Sequence, residues 1–202
     1  PLAPGVATGV LVITKTGQID AQGTAESPIV FTSYNLLDDN ANTSALPGDF
    51  GGVVILGDAE VNTGSVTNIV EGLDDQSNFT EFYYGGSNNN HNAGILSYVR
   101  IEFAGIAADT NSEINGLTMG GVGSGTIIDY VQVSYGNDDA YEFFGGTVDA
   151  KHIIAFATAD DDFDFDFGYN GQIQYAVSLR GKFHDDDDAN QIECDNDAGG
   201  TT

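Results

Sequence analysis

Asp138-Asp139-Ala140-Tyr141-Glu142-Phe143-Phe144-Gly145-Gly146 and Asp161-Asp162-Phe163-Asp164-Phe165-Asp166-Phe167-Gly168-Tyr169 resemble each other position by position at an offset of 23 residues. Each places an acidic turn ahead of alternating aromatic residues and reaches glycine at its end. Further out, Tyr98-Val99-Arg100-Ile101-Glu102-Phe103 matches Tyr130-Val131-Gln132-Val133-Ser134-Tyr135 with the apolar residues in phase. Met119-Gly120-Gly121 precedes Phe144-Gly145-Gly146 by 25 residues, and Val131, Ile153 and Val177 follow one another at 22 and 24. Self-similarity at about 20 to 30 residues, built from short strands, is the pattern of a solenoid. A propeller blade repeats at about 40 residues or more, and a sandwich does not repeat its sequence in phase.

The expected fold is therefore all-β, a right-handed parallel β-helix (β-solenoid). Short β runs at 9–14, 28–33, 52–56, 95–103, 127–135, 152–157 and 173–179 are separated by Gly, Asn and Asp, and capped amphipathic helical stretches are missing. Stacked coils about 4.8 Å apart place equivalent residues in ladders. Met119, Phe144 and Phe167 are expected to form one internal ladder, and Val131, Ile153 and Val177 another. The same alignment puts Glu142 beside Leu117 and Phe165, facing inward unless a bulge turns it out. Two polar insertions, 34–50 and 63–92, interrupt the period. Residues 1–202 read as one β-helix domain, either a section of a longer β-helix or a protomer that stacks on its copies.

Charge narrows the possible functions. The chain carries 31 Asp and Glu against five Lys and Arg, a formal net charge of −26. Such a surface repels nucleic acid and anionic membranes. No apolar run approaches the ~18 residues that a membrane-spanning helix needs. Cys194 is the only cysteine, so no internal disulfide supports the fold, and it is expected to be a small buried apolar residue.

Five blocks in order carry a family likeness. They are Ala21-Gln22-Gly23-Thr24-Ala25-Glu26-Ser27-Pro28-Ile29-Val30-Phe31-Thr32-Ser33, Gly48-Asp49-Phe50-Gly51-Gly52-Val53-Val54-Ile55-Leu56-Gly57, Tyr98-Val99-Arg100-Ile101-Glu102-Phe103-Ala104-Gly105, Asn115-Gly116-Leu117-Thr118-Met119-Gly120-Gly121-Val122-Gly123-Ser124-Gly125-Thr126 and the 138–146 block. Together they resemble a family of secreted, Bacteroidetes-type β-helix proteins of the pectate-lyase-like superfamily. The resemblance implies a right-handed parallel β-helix and an extracellular or cell-surface location, and it implies no defined activity. Asp185–Asp188 is richer in acid than the family pattern.

The acidic turns are the sharpest chemical signal. On a strand, Asp162, Asp164 and Asp166 share one face and Phe163, Phe165 and Phe167 the other, with Asp138, Asp139 and Glu142 one strand away. Facing carboxylates raise one another's pKa unless a cation lies between them, and Ca²⁺ accepts 6 to 8 oxygen ligands in irregular geometry. The candidate metal ligands are Asp138, Asp139, Glu142, Asp160, Asp161, Asp162, Asp164 and Asp166. The competing reading is a solvated acidic face that keeps the solenoid soluble.

Other motifs are weaker. Gly120 to Thr126 has the look of a phosphate-cradling loop but lacks its Lys and helix, so it reads as a solenoid corner. His91, His152 and His184 lack metal-ligand spacing. Tyr83 and Tyr84, beside an Asn-rich stretch, are candidate glycan contacts.

For catalysis, neither the Gly-His-Gly nor the Arg-Ile-Lys string of β-helix polygalacturonases occurs, and only five basic residues could serve a lyase. The favoured function is an extracellular calcium-binding structural or adhesive module, expected to associate end to end into filaments. A polysaccharide-binding or polysaccharide-degrading lyase or glycosidase is the alternative.

Overall fold

The computed structural model describes residues 9–73, 79–109, 112–182 and 189–196. His184 and Asp185–Asp188 lie outside these residues. The strands are β1 (Val10–Ile13), β2 (Ile19–Gln22), β3 (Ile29–Phe31), β4 (Gly52–Leu56), β5 (Gly94–Glu102), β6 (Ala107–Asp109), β7 (Ser112–Glu113), β8 (Leu117–Gly120), β9 (Ile127–Ser134), β10 (Tyr141–Phe144), β11 (Ala150–Phe156), β12 (Phe163–Asp166) and β13 (Ile173–Leu179). One sheet runs β1-β4-β8-β10-β12 and a second runs β13-β11-β9-β5-β2, with β3 also on β5. Every pairing within these two sheets is parallel. From β4 onward the chain visits the first sheet and then the second, coil after coil, so the protein is a parallel β-helix. A small antiparallel pair, β6 with β7, lies outside the coils.

Alternation fills the interior. On the first sheet the inward ladders are Leu11–Val53–Leu117–Tyr141–Phe163 and Ile13–Ile55–Met119–Phe143–Phe165. On the second, Val99, Val131 and Ile153 stack in register, and all three belong to the same core. Tyr141 is fully buried and its hydroxyl donates to the carbonyls of Val131 (2.9 Å) and Ile154 (3.0 Å), so its polar end is satisfied inside the coil.

Three expected registers are corrected here. Met119 stacks on Phe143 and Phe165, whereas Phe144 and Phe167 lie on the outer side of the first sheet. Glu142 pairs with Thr118 and Asp164, not with Leu117 and Phe165. Ile153 pairs with Ala176, and Val177 pairs with Ile154 and is exposed. The first two errors share a cause. The steps from β8 to β10 and from β10 to β12 are 24 and 22 residues (Leu117 to Tyr141 to Phe163), each one short of the expected 25 and 23, and a slip of one residue moves every side chain to the opposite face. Gly121 and Gly145 hold the left-handed position that ends their strands, at φ 57° and 67°. In the next coil Phe167 holds it, at φ 46°, so matching glycine to glycine aligned the wrong residues.

The outer side of the first sheet carries a second apolar cluster. Ile69, Val70, Leu73, Phe82 and Tyr84, from the 63–92 insertion, cover Val54, Leu56, Phe144 and Phe167. Tyr84 lies over Gly120, where a Cβ would come within 2.7 Å of the ring. On the second sheet Tyr98, Tyr130, His152 and Tyr175 all have positive φ and form one outer stack, with centroid separations of 4.5, 4.3 and 4.8 Å. Cys194, expected to be buried, is exposed.

Candidate metal centre

The outward ladder of the first sheet runs Val12–Val54–Thr118–Glu142–Asp164, apolar in its first coils and acidic in its last. Parallel register sends Glu142 and Asp164 out on the same face, one rung apart. The turn before β10 adds Asp139. One carboxylate oxygen from each of Asp139, Glu142 and Asp164 lies within 4.8 Å of the other two. Asp138, Asp139 and Asp160 make a second group by the same measure, so Asp139 belongs to both.

The inner group is built into the protein. Glu142 is 7% exposed and Asp164 9%. Buried Asn115, in the turn before β8, donates its Nδ2 to Glu142 Oε2 and fixes that carboxylate. Asp164 Oδ1 is buried with no hydrogen-bond partner. Among the described residues no ion pair joins a basic side chain to any of the three. Arg180 instead meets Asp162 Oδ1 at 3.3 Å and the carbonyls of Asp160 and Asn190.

Burial, reinforced by the neighbouring carboxylates, pushes Asp139 and Glu142 well above the usual acid range. Glu71, from the insertion, is among the charges acting on Glu142. The same causes bring Asp164 up to about 6. Glu193 rises to about 7, through burial and then its contact with Asp161. A carboxyl whose pKa is higher folded than unfolded binds extra protons in the native state. Its stabilising contribution is present below the unfolded value of about 4 and is lost as pH rises through the folded one. The chelated protein is therefore expected to melt lower at each step from about pH 5 to about pH 7.5, as followed by circular dichroism. Saturating calcium is expected to flatten that decline. A melting temperature that rises with pH in chelator would contradict the account.

The remaining candidates are otherwise engaged. Asp162 is fully buried and accepts from Thr158 Oγ1 (2.8 Å), from Ser178 and from Arg180. Asp161 accepts from the backbone N–H of Asn190, and Asp166 from that of Phe167 at 2.8 Å. Tyr84 is 0% exposed and serves as the insertion's anchor, which corrects its reading as a glycan contact; Tyr83 beside it is half-buried. His152 Nδ1 lies 2.8 Å from Asp129 Oδ1, and His91 Nε2 lies 2.9 Å from the Lys15 carbonyl. Both histidines have structural surroundings. Asn115 was missed as part of the site. The three-residue spacing from Asn115 to Thr118 was visible, but its contact with Glu142 depends on the register between β8 and β10.

These features define the class: a parallel β-helix with an acidic ladder on the outer face of its first sheet. The particular family follows from the sequence, because residues 3–202 match the pectate-lyase-like β-helix domain family and the chain belongs to it. No curated protein and no solved structure matches the chain. Among the described residues no helix is long and apolar enough to cross a membrane.

Proposed function

We propose that the chain is an extracellular calcium-binding β-helix module with a structural or adhesive role. Asp139, Glu142 and Asp164 supply the carboxylates, and neighbouring carbonyls and water complete the 6 to 8 oxygens that Ca²⁺ takes. The observation that carries this reading is Asp164 Oδ1, a buried acceptor without a donor that faces two further carboxylates. Leaving a buried acceptor unsatisfied costs roughly 1–3 kcal/mol, and more if it is charged. A divalent cation removes that cost and the mutual repulsion together.

A structural role is favoured over catalysis by burial. A glycosidase also uses paired carboxyls, one with a raised pKa, but substrate must reach them. Here Glu142 and Asp164 keep only 7% and 9% of their surface exposed, which leaves a saccharide little to reach. With calcium screening a net charge of −26, copies of the chain are expected to associate end to end.

Isothermal calorimetry tests the site. Wild-type protein is expected to bind calcium, Asp164→Asn to lose at least about tenfold in affinity, and Asp162→Asn to retain it, since Asp162 is committed to Arg180. Equal binding by wild type and Asp164→Asn would refute the assignment. Light scattering with and without chelator reports on assembly, and turnover of pectin or alginate would favour the enzyme reading instead.

A further inference from the structure

A cleft of about 250 Å³ lies on the outer face of the second sheet, whereas the acidic ladder is on the first. Tyr98, Tyr130 and His152, three rings of the outer stack, line it together with Arg100, Gln132 and Ile154, which lie in register on β5, β9 and β11. The rings spend their faces on one another, at interplanar angles of 3° and 7°, so they stand as a rigid wall. Tyr130 is nevertheless 41% exposed.

The polar groups of this cleft are held in place without being used up. Arg100 Nε meets Glu102 Oε1 at 3.0 Å, Gln132 Nε2 donates to Ser134 Oγ at 2.8 Å, and His152 Nδ1 lies 2.8 Å from Asp129 Oδ1. The Arg100 Nη groups, Gln132 Oε1 and His152 Nε2 take no hydrogen-bond partner among the described residues. With Asp129 beside Nδ1, a neutral imidazole carries its proton there and keeps Nε2 as an acceptor. Consecutive rungs, about 4.8 Å apart, thus offer a donor, an amide and an acceptor along the solenoid axis. Charge is the second observation. In a chain of net −26, the ions here cancel locally: Arg100 pairs with Glu102, and Asp129 has His152 beside it and Lys151 as its cross-strand neighbour. Such a face attracts neither anions nor cations, and its mixed donors and acceptors suit a ligand whose hydroxyls do both.

We propose that this cleft binds an uncharged polysaccharide laid along the axis, its hydroxyls meeting Arg100, Gln132 and His152 and its C–H groups packing against Tyr98, Tyr130 and Ile154. The volume is below the roughly 300–1,000 Å³ that takes a drug-sized ligand, which suits a sugar unit or two of a longer chain. Binding here goes beyond the calcium site and does not depend on it, and it supplies a partner for the adhesive role. It also moves the glycan contact from the insertion, where Tyr84 is buried, to the second sheet.

NMR titration of the whole chain in chelator tests it, with glucan, xylan, mannan and galactan oligomers about six units long and with oligogalacturonate as the acidic counterpart. At least one uncharged oligomer is expected to bind and to shift the amides of Tyr130, Gln132 and Ile154, while those of Glu142 and Asp164 stay in place. Gln132→Met, which keeps the side chain's length and loses its amide, is expected to weaken binding about threefold or more, and Tyr130→Ala about tenfold. Tyr83→Ala, in the insertion, is expected to bind as wild type does. The amide spectrum of each variant reports that its coils are intact. Binding by none of the uncharged oligomers, or undiminished binding by both Gln132→Met and Tyr130→Ala, would overturn the proposal. Tighter binding of oligogalacturonate than of every uncharged oligomer would overturn it as well. Because the titration is run without calcium, its failure and the failure of the calcium site are separate results.

Discussion

Saturating calcium is expected to raise the melting temperature of the wild-type protein by roughly 8–16 °C. A ligand at a thousandfold excess over its dissociation constant adds about 4 kcal/mol, and each kcal/mol moves the transition of a chain this size by about 2–4 °C. The effect follows from three carboxylates clustered within 4.8 Å with two of them nearly solvent-free. Asp164→Asn is expected to behave in an unusual way. It loses most of the calcium-induced rise, yet in chelator it melts no lower than wild type, because the amide removes a repelled charge and brings a donor toward Glu142. Calorimetric melts of both proteins in calcium and in chelator check both halves. A wild-type melting temperature indifferent to calcium would refute the expectation.

Adjacent phenylalanines are expected to behave as residues of two different cores. Phe143 is fully buried in the main core, stacked on Phe165 at 5.2 Å and tilted against Tyr169 at 4.6 Å. Phe143→Ala removes a ring that no neighbour can replace, at about 3–5 kcal/mol, or roughly 6–20 °C in melting temperature. Phe144 points the other way and meets Tyr84 at 6.2 Å and Phe167 at 5.5 Å beneath the insertion. Phe144→Ala is expected to loosen that cover, so that amides of Ile69, Val70 and Tyr84 exchange faster while the interior ladders hold. Denaturant melts with amide exchange distinguish the two. Identical behaviour of the two variants would mean the register between β10 and β12 is wrong.

That register marks the limit of what the sequence could tell. The parallel solenoid was legible because its cause is local and repeated: β-prone runs in phase, separated by turn residues. The match of Tyr98–Phe103 with Tyr130–Tyr135 is the observed pairing of β5 with β9. The 138–146 and 161–169 blocks misled because they were aligned on glycine. Glycine is the default residue for positive φ, yet Phe167 takes that role beside Gly145. The same habit hid the outer stack of Tyr98, Tyr130, His152 and Tyr175, since four left-handed non-glycine residues in a row have no sequence signature.

The acidic region was legible as composition but not as geometry. Eight candidate ligands could be named, and the fold brings Asp138, Asp139, Glu142, Asp160 and Asp164 into two groups that share Asp139. What the sequence could not assign was Glu142, whose face depends on a single residue of offset, or Asp162, whose partner Arg180 is 18 residues away. Tyr84 looked like an exposed loop aromatic because its surroundings are polar. Its burial comes from Gly120, 36 residues on, which leaves space for the ring.

A crystal structure of the protein grown in calcium, with anomalous data, tests the central claim most directly. The account predicts one anomalous peak bounded by Asp139, Glu142 and Asp164, with carboxylate oxygens about 2.3–2.6 Å from it and Asp164 Oδ1 among them. A map in calcium with no peak there would contradict it.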